Sequence, residues 1–177
     1  MLSNHGSQKH SNNRGYSLLE MILTVVVVGI LAAIAIPSFI GWFDRHRVNE
    51  GSAQVKGAIK EAQRQAIRRG RRCKIRIDTT KITVSAPESS VNYNDCLLNE
   101  RTLPTGVAIK TNYTTPVITF SPRGNTNSAG TIVVYSADGA QTKKCIVISL
   151  GLGIMRSGDY TGNVSTSISA TQCKTTD

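Results

Sequence analysis

The sequence predicts an α+β fold: one long amino-terminal α-helix, its first half membrane-spanning, packed on a small antiparallel β domain of about two sheets. Three observations carry this. Residues 21–36 form an almost unbroken apolar run, and with its flanks residues 18–40 reach the roughly 20 residues that cross a bilayer. An apolar stripe at helical spacing then continues toward Arg69. After Ile77 the chain breaks into short alternating segments rich in Thr, Ser, Asn and Gly, the composition of a β-rich domain. The 177 residues therefore divide into one helix and one modest globular core.

The helix is expected over residues 17–69, with Pro37 and Gly41 permitting a bend near the membrane surface. Trp42 and Phe43 follow, where amphipathic rings prefer the interface. Val48, Ser52, Val55, Ile59, Ala62 and Ala66 recur at steps of four and three and should bury against a sheet. Lys56, Lys60, Arg64, Arg68 and Arg71 recur similarly on a different face and should stay exposed, with Lys56, Lys60, Arg64 and Arg68 expected on the side away from the sheet. Glu61 adjoins Lys60 in sequence and cannot face it well, so local neutralisation is limited. Gly70 marks the helix end.

From there the period changes to two. Cys73-Lys74-Ile75-Arg76-Ile77 alternates, and Lys81-Ile82-Thr83-Val84 follows across a short turn. Residues 92–100 read as a loop around Cys96. The other strand candidates are Val107-Ala108-Ile109, Val117-Ile118-Thr119-Phe120, Thr131-Ile132-Val133-Val134-Tyr135 and Cys145-Ile146-Val147-Ile148, giving about six. Residues 124–130 form a loop between two of them, and Asp138-Gly139 is a hairpin signal between the last two. Gly151 and Gly153 either permit a bulge or tight approach or simply end a strand.

Cys73, Cys96, Cys145 and Cys173 are an even set, which in an exported domain reads as two disulfides. Three connectivities are open; pairing neighbours, Cys73 with Cys96 and Cys145 with Cys173, closes the short loops. Zinc competes poorly, because the chain has no CxxC pair and its histidines are His5, His10 and His46. No metal and no cofactor is expected. The chain carries no GxSxG, P-loop or HExxH motif. Asp78, Asp95, Asp138 and Asp159 stand beside turns, where aspartate serves backbone geometry. An enzyme is not indicated. The net charge of +10 suits acidic partners.

The segment Arg14-Gly15-Tyr16-Ser17-Leu18-Leu19-Glu20 is the most specific motif. A carboxylate carried into the mouth of an apolar helix costs roughly 2.5–3.5 kcal/mol on insertion scales. An ordinary secretory signal would end in a small-residue cleavage site, which Ala33 and Ala35 could mimic, but the leader before Gly15 is long for such a signal. A plain single-span anchor leaves Glu20 and the Gly15-Tyr16 junction unexplained. These residues resemble the class III signal of type IV pilins and type II secretion pseudopilins. The resemblance, strong over about the first 50 residues, implies a leader of residues 1–15 cut between Gly15 and Tyr16 by a prepilin peptidase, with methylation of the new amino terminus. It further implies a transmembrane and filament-core half-helix over residues 16–40, an amphipathic half over 41–71, and an extracytoplasmic β domain over 72–177. Glu20 becomes the fifth residue of the processed chain, where the family's glutamate neutralises a neighbouring subunit's amino terminus, and Pro37 falls where many members kink. Tyr16 departs from the usual phenylalanine. Location in the bacterial inner membrane with the carboxy-terminal domain outside, and then in a pilus or pseudopilus, is implied. So are the partners: other subunits, the peptidase, the inner-membrane assembly platform and the lipid bilayer.

Within the family, the turn Phe120-Ser121-Pro122-Arg123-Gly124, an antiparallel pair and then the run Ile148-Ser149-Leu150-Gly151-Leu152-Gly153-Ile154-Met155-Arg156 resemble the carboxy-terminal half of H-type minor pseudopilins and FimT-type minor pilins. The expected function is that of a minor pilin or pseudopilin. Some FimT-type subunits bind DNA through a carboxy-terminal glycine-arginine motif, so a DNA-uptake subunit is the alternative. Here Arg156 alone matches that motif, with Lys143, Lys144 and Lys174 as candidate phosphate neighbours.

Overall fold

The computed structural model describes residues 15–84, 96–139 and 141–175, with the backbone alone at residues 35–38 and 84. Residues 1–14 of the leader with Lys9, Arg14, His5 and His10, and residues 92–95 of the expected loop with Asp95, lie outside the described residues. Ser17 opens the long helix α1, Leu18–Arg69. Its hydroxyl accepts the Glu20 N–H at 3.3 Å and its carbonyl accepts Met21 N–H at 3.2 Å, which satisfies donors that the first turn otherwise leaves unpaired. At the other end Gly70, with φ of 61°, donates to Ile67, and Arg71 donates to Ala66, each at 3.3 Å. That pair of bonds is the Schellman arrangement.

Two units are distinguished, Met1–Ile40 and Gly41–Asp177. In the first, the helical side chains from Leu18 to Ile34 are exposed all round. Among the described residues no single helix is long and apolar enough to cross a membrane, while the stretches Leu18–Ile34 and Phe39–Arg69 taken as a pair meet that requirement by length and composition only.

The second unit contains the amphipathic helical half and nine strands among the described residues: β1 Cys73–Ile77, β2 Lys81–Val84, β3 Arg101–Thr102, β4 Val107–Thr111, β5 Val117–Phe120, β6 Gly130–Ser136, β7 Lys143–Ile148, β8 Met155–Tyr160 and β9 Cys173–Thr175. They form two antiparallel sheets, ordered β3-β2-β1-β5 and β4-β6-β7-β8-β9. The β1–β2 hairpin pairs Ile77 with Ile82. The Asp138-Gly139 signal does mark the β6–β7 connection, where Val133 faces Cys145. Ile109 N–H donates to Thr79 at 2.6 Å and ties β4 to the β1–β2 turn of the other sheet.

The helical stripe buries as expected. Val48, Val55, Ile59, Ala62 and Ala66 are sealed against Ile75, Ile118 and Phe120 of one sheet and Ile132, Val134, Ile146 and Ile148 of the other. Ser52 is only half-buried, and Ala58 joins the stripe instead. A second cluster lies on the opposite face of the larger sheet: Val133, Cys145, Val147 and Tyr160, covered by Val164, Ile168 and Ala170. β6 and β7 are thus buried on both faces, which is why they read as continuous apolar runs rather than alternating ones. The structure joins Cys73 to Cys96 and Cys145 to Cys173, the pairing of neighbours.

Two expectations are corrected. Strands β3, β8 and β9 are additional to the six read from sequence: β8 has polar and glycine residues between Met155 and Tyr160, and the other two are two and three residues long. Lys56, Lys60 and Arg64 do not lie on the side away from the sheet. Lys56 Nζ donates to Ser157 Oγ on β8 at 2.6 Å, and Lys60 and Arg64 border a groove closed by residues 152–155. The two sheets wrap more of the helix than one narrow stripe implies. Glu61, in turn, is engaged elsewhere, accepting Leu98 N–H at 2.8 Å and pairing with Arg101 at 2.9 Å.

Candidate functional site

Gly15, Tyr16 and Ser17 are non-helical and exposed, immediately before the first turn. A protease needs an accessible segment outside regular structure, and Gly15 to Ser17 are that. Glu20 stands in the first turn, exposed among Leu18, Leu19 and Met21, themselves 57–79% exposed. The helix dipole favours a carboxylate there by about 0.3–1 kcal/mol, against roughly 2.5–3.5 kcal/mol for carrying it into hydrocarbon. The local capping role therefore does not offset the cost, and a cationic partner would. Pro37 lies in the stretch whose side chains are outside the described residues.

The four candidate DNA contacts are not brought together. Registered antiparallel partners share a face. Arg156 opposes Val147, and Lys143 opposes Tyr135, on the face covered by residues 161–172. Lys144 opposes Asp159, which in turn opposes Lys174, on the helix-side face. Their groups are also engaged: Lys144 pairs with Asp159 at 2.5 Å, Lys143 donates to Gly162 carbonyl at 2.9 Å, and Arg156 donates to Ala170 carbonyl at 3.4 Å. The glycine that closes this run has a structural reason. A Cβ at Gly158 would lie 1.8 Å from the Lys174 carbonyl oxygen, so only glycine lets β9 pass.

Sequence reading missed Gln63. Its Nε2 donates to the carbonyls of Gly124 at 2.9 Å and Leu152 at 3.3 Å, pinning two loops to the helix. A lone polar residue beside the apolar stripe gave no signal. It also missed the exposure of Leu150, Leu152 and Ile154.

Residues 52–152, more than half of the chain, match the family described as Type II transport protein GspH, and residues 10–36 match the Prokaryotic N-terminal methylation motif. The chain is 41% identical over 58 residues to the Type IV major pilin protein PilA of Myxococcus xanthus (strain DK1622), covering 33% of this chain and 26% of that one. It is 38% identical over 58 residues to a Fimbrial protein of Pseudomonas aeruginosa, covering 33% and 37%. The chain thus spans about a quarter to about a third of the length of these curated relatives. Competence protein ComGD of Bacillus subtilis (strain 168) is 27% identical over 126 residues, 71% of this chain and 82% of that one. Among solved structures, the type IV minor pilin FimU of Pseudomonas aeruginosa aligns with a TM-score of 0.47 and 14% identity, over 61% of this chain and 87% of that one. This is a structural family rather than an enzymatic one. With its methylation motif at the amino terminus and a GspH-type domain folded on the helix, the chain belongs to the GspH family within the type IV pilins and type II secretion pseudopilins.

Proposed function

We propose that the chain serves as a minor structural subunit of a type IV pilus or type II secretion pseudopilus, stored in the inner membrane by residues 16–40 and released into the filament after cleavage between Gly15 and Tyr16. Methylation follows on Tyr16, and Glu20 pairs with the amino terminus of the adjacent subunit during incorporation. The observation that carries this is the helical stretch Leu18–Ile34, apolar on every side, exposed throughout, and bearing one carboxylate in its first turn. A helix apolar all round requires a surrounding of lipid or other helices, and a charge within that surrounding requires a partner. The prepilin peptidase and the assembly platform are the processing partners this reading entails.

DNA uptake receives less support. One relative is named a competence protein, yet the candidate contacts Arg156, Lys143, Lys144 and Lys174 are split between two faces and largely engaged within the domain.

The test is Glu20→Val in the full chain, expressed in its native host. Insertion in the membrane should persist, and recovery in sheared filaments should fall at least tenfold. Normal recovery of the variant would contradict the pairing role.

A further inference from the structure

Leu150, Leu152 and Ile154, in the turn after β7, are 67%, 69% and 61% exposed. They are held outward by a fixed backbone. Thr126 and Gly151 exchange hydrogen bonds at 2.8 and 2.9 Å, Ser149 N–H donates to Ile154 carbonyl at 3.0 Å, and Gln63 holds the Leu152 carbonyl. Gly151 and Gly153 take left-handed conformations, φ of 82° and 64°, that make this segment possible. Ile67 adds to the same corner: it is 53% exposed and abuts Gly124, where a Cβ would lie 2.7 Å from its Cδ1. Exposed apolar groups gathered at one place mark an interaction site, and a fixed backbone removes the ordering cost of using it.

The adjoining groove has a sign. It is bounded by Lys60 and Arg64 on α1 and by Leu152, Ile154 and Met155 opposite, and among the described residues neither cation meets a carboxylate. Lys56 continues the line toward Lys144. We infer that this corner docks a different subunit through an acidic segment with an apolar tip, its apolar group seated on residues 150–154 and its carboxylates on Lys60 and Arg64. The inference rests on the assembly reading above and names the partner chemistry.

Two other occupants fit less well. A second copy of this chain brings +8 on its side chains once Lys9 and Arg14 leave with residues 1–15, so like charge opposes self-docking. A lipid surface is remote: Gln63 lies 21 residues beyond Trp42 on the helix, about 30 Å at 1.5 Å per residue, whereas interfacial insertion reaches about 5–10 Å.

The experiment places the photoreactive p-benzoylphenylalanine at position 152 of the full chain in its host membrane, and identifies the crosslinked peptide by mass spectrometry. The expected adduct joins a carboxylate-bearing, apolar segment of another pilin-type subunit. Lys60→Glu with Arg64→Glu should reduce that adduct and filament recovery at least tenfold at unchanged membrane abundance. Leu98→Glu, at an exposed leucine outside the corner, should leave both unchanged. An adduct to a second copy, an adduct to lipid, no adduct, or undiminished recovery of the charge-reversed variant overturns the docking surface. Absence of the unsubstituted chain from filaments overturns the assembly reading instead, so the two failures are distinguishable.

Discussion

Tyr113 is half-buried over Gly130, and its hydroxyl donates to the Ser128 carbonyl at 3.3 Å. Burial pushes its phenol above the ordinary value of 10. The folded state then holds this proton where the unfolded chain releases it, so stability is fully present below about pH 10 and is lost as pH rises above it. Tyr113→Phe should cost about 1 kcal/mol at neutral pH through the lost hydrogen bond, while flattening the alkaline decline. Urea unfolding at about pH 8 and about pH 11 checks this: equal declines in both chains would remove Tyr113 as a cause. Nothing in the sequence isolates this residue, because its burial depends on a glycine 17 positions away. Glu20 is the opposite case, legible from its neighbours alone because a carboxylate against an apolar run is anomalous anywhere.

At the scale of elements, helix α1 was readable almost to the residue. Its stripe, its terminating Gly70 and its apolar first half are periodic or local signals, and local signals survive tertiary context. The strands differed. β1, β2, β5, β6 and β7 carry enough β-branched residues to be seen, whereas β8 is polar and β9 is three residues long. Both form because Gly158 lets β9 approach and because Cys173 is tethered to Cys145 on β7. Cys145→Ala with Cys173→Ala should therefore lower stability by about 3–4 kcal/mol, the loop-closure value for a separation of 28 residues. Loss should begin at β9, which hydrogen exchange would show as amides of β9 and residues 161–172 opening before those of β6. Uniform protection across the larger sheet would contradict that order. The groove beside Lys60 was not legible, since it arises only where two sheets wrap the helix further than one stripe suggests.

For the whole molecule, the two units divide the labour of a filament subunit. The unit ending at Ile40 offers an apolar helix and one carboxylate, and the unit beginning at Gly41 offers a closed core with chosen exposed features. The positive charge that disfavours self-association makes inclusion among other, acidic subunits the coherent outcome. All of this depends on residues 1–15 being removed, because the paired amine exists only afterwards. Mass spectrometry of the chain recovered from sheared filaments of the native host tests that directly. The account predicts an amino terminus at methylated Tyr16; a chain that retains residues 1–15 would contradict it.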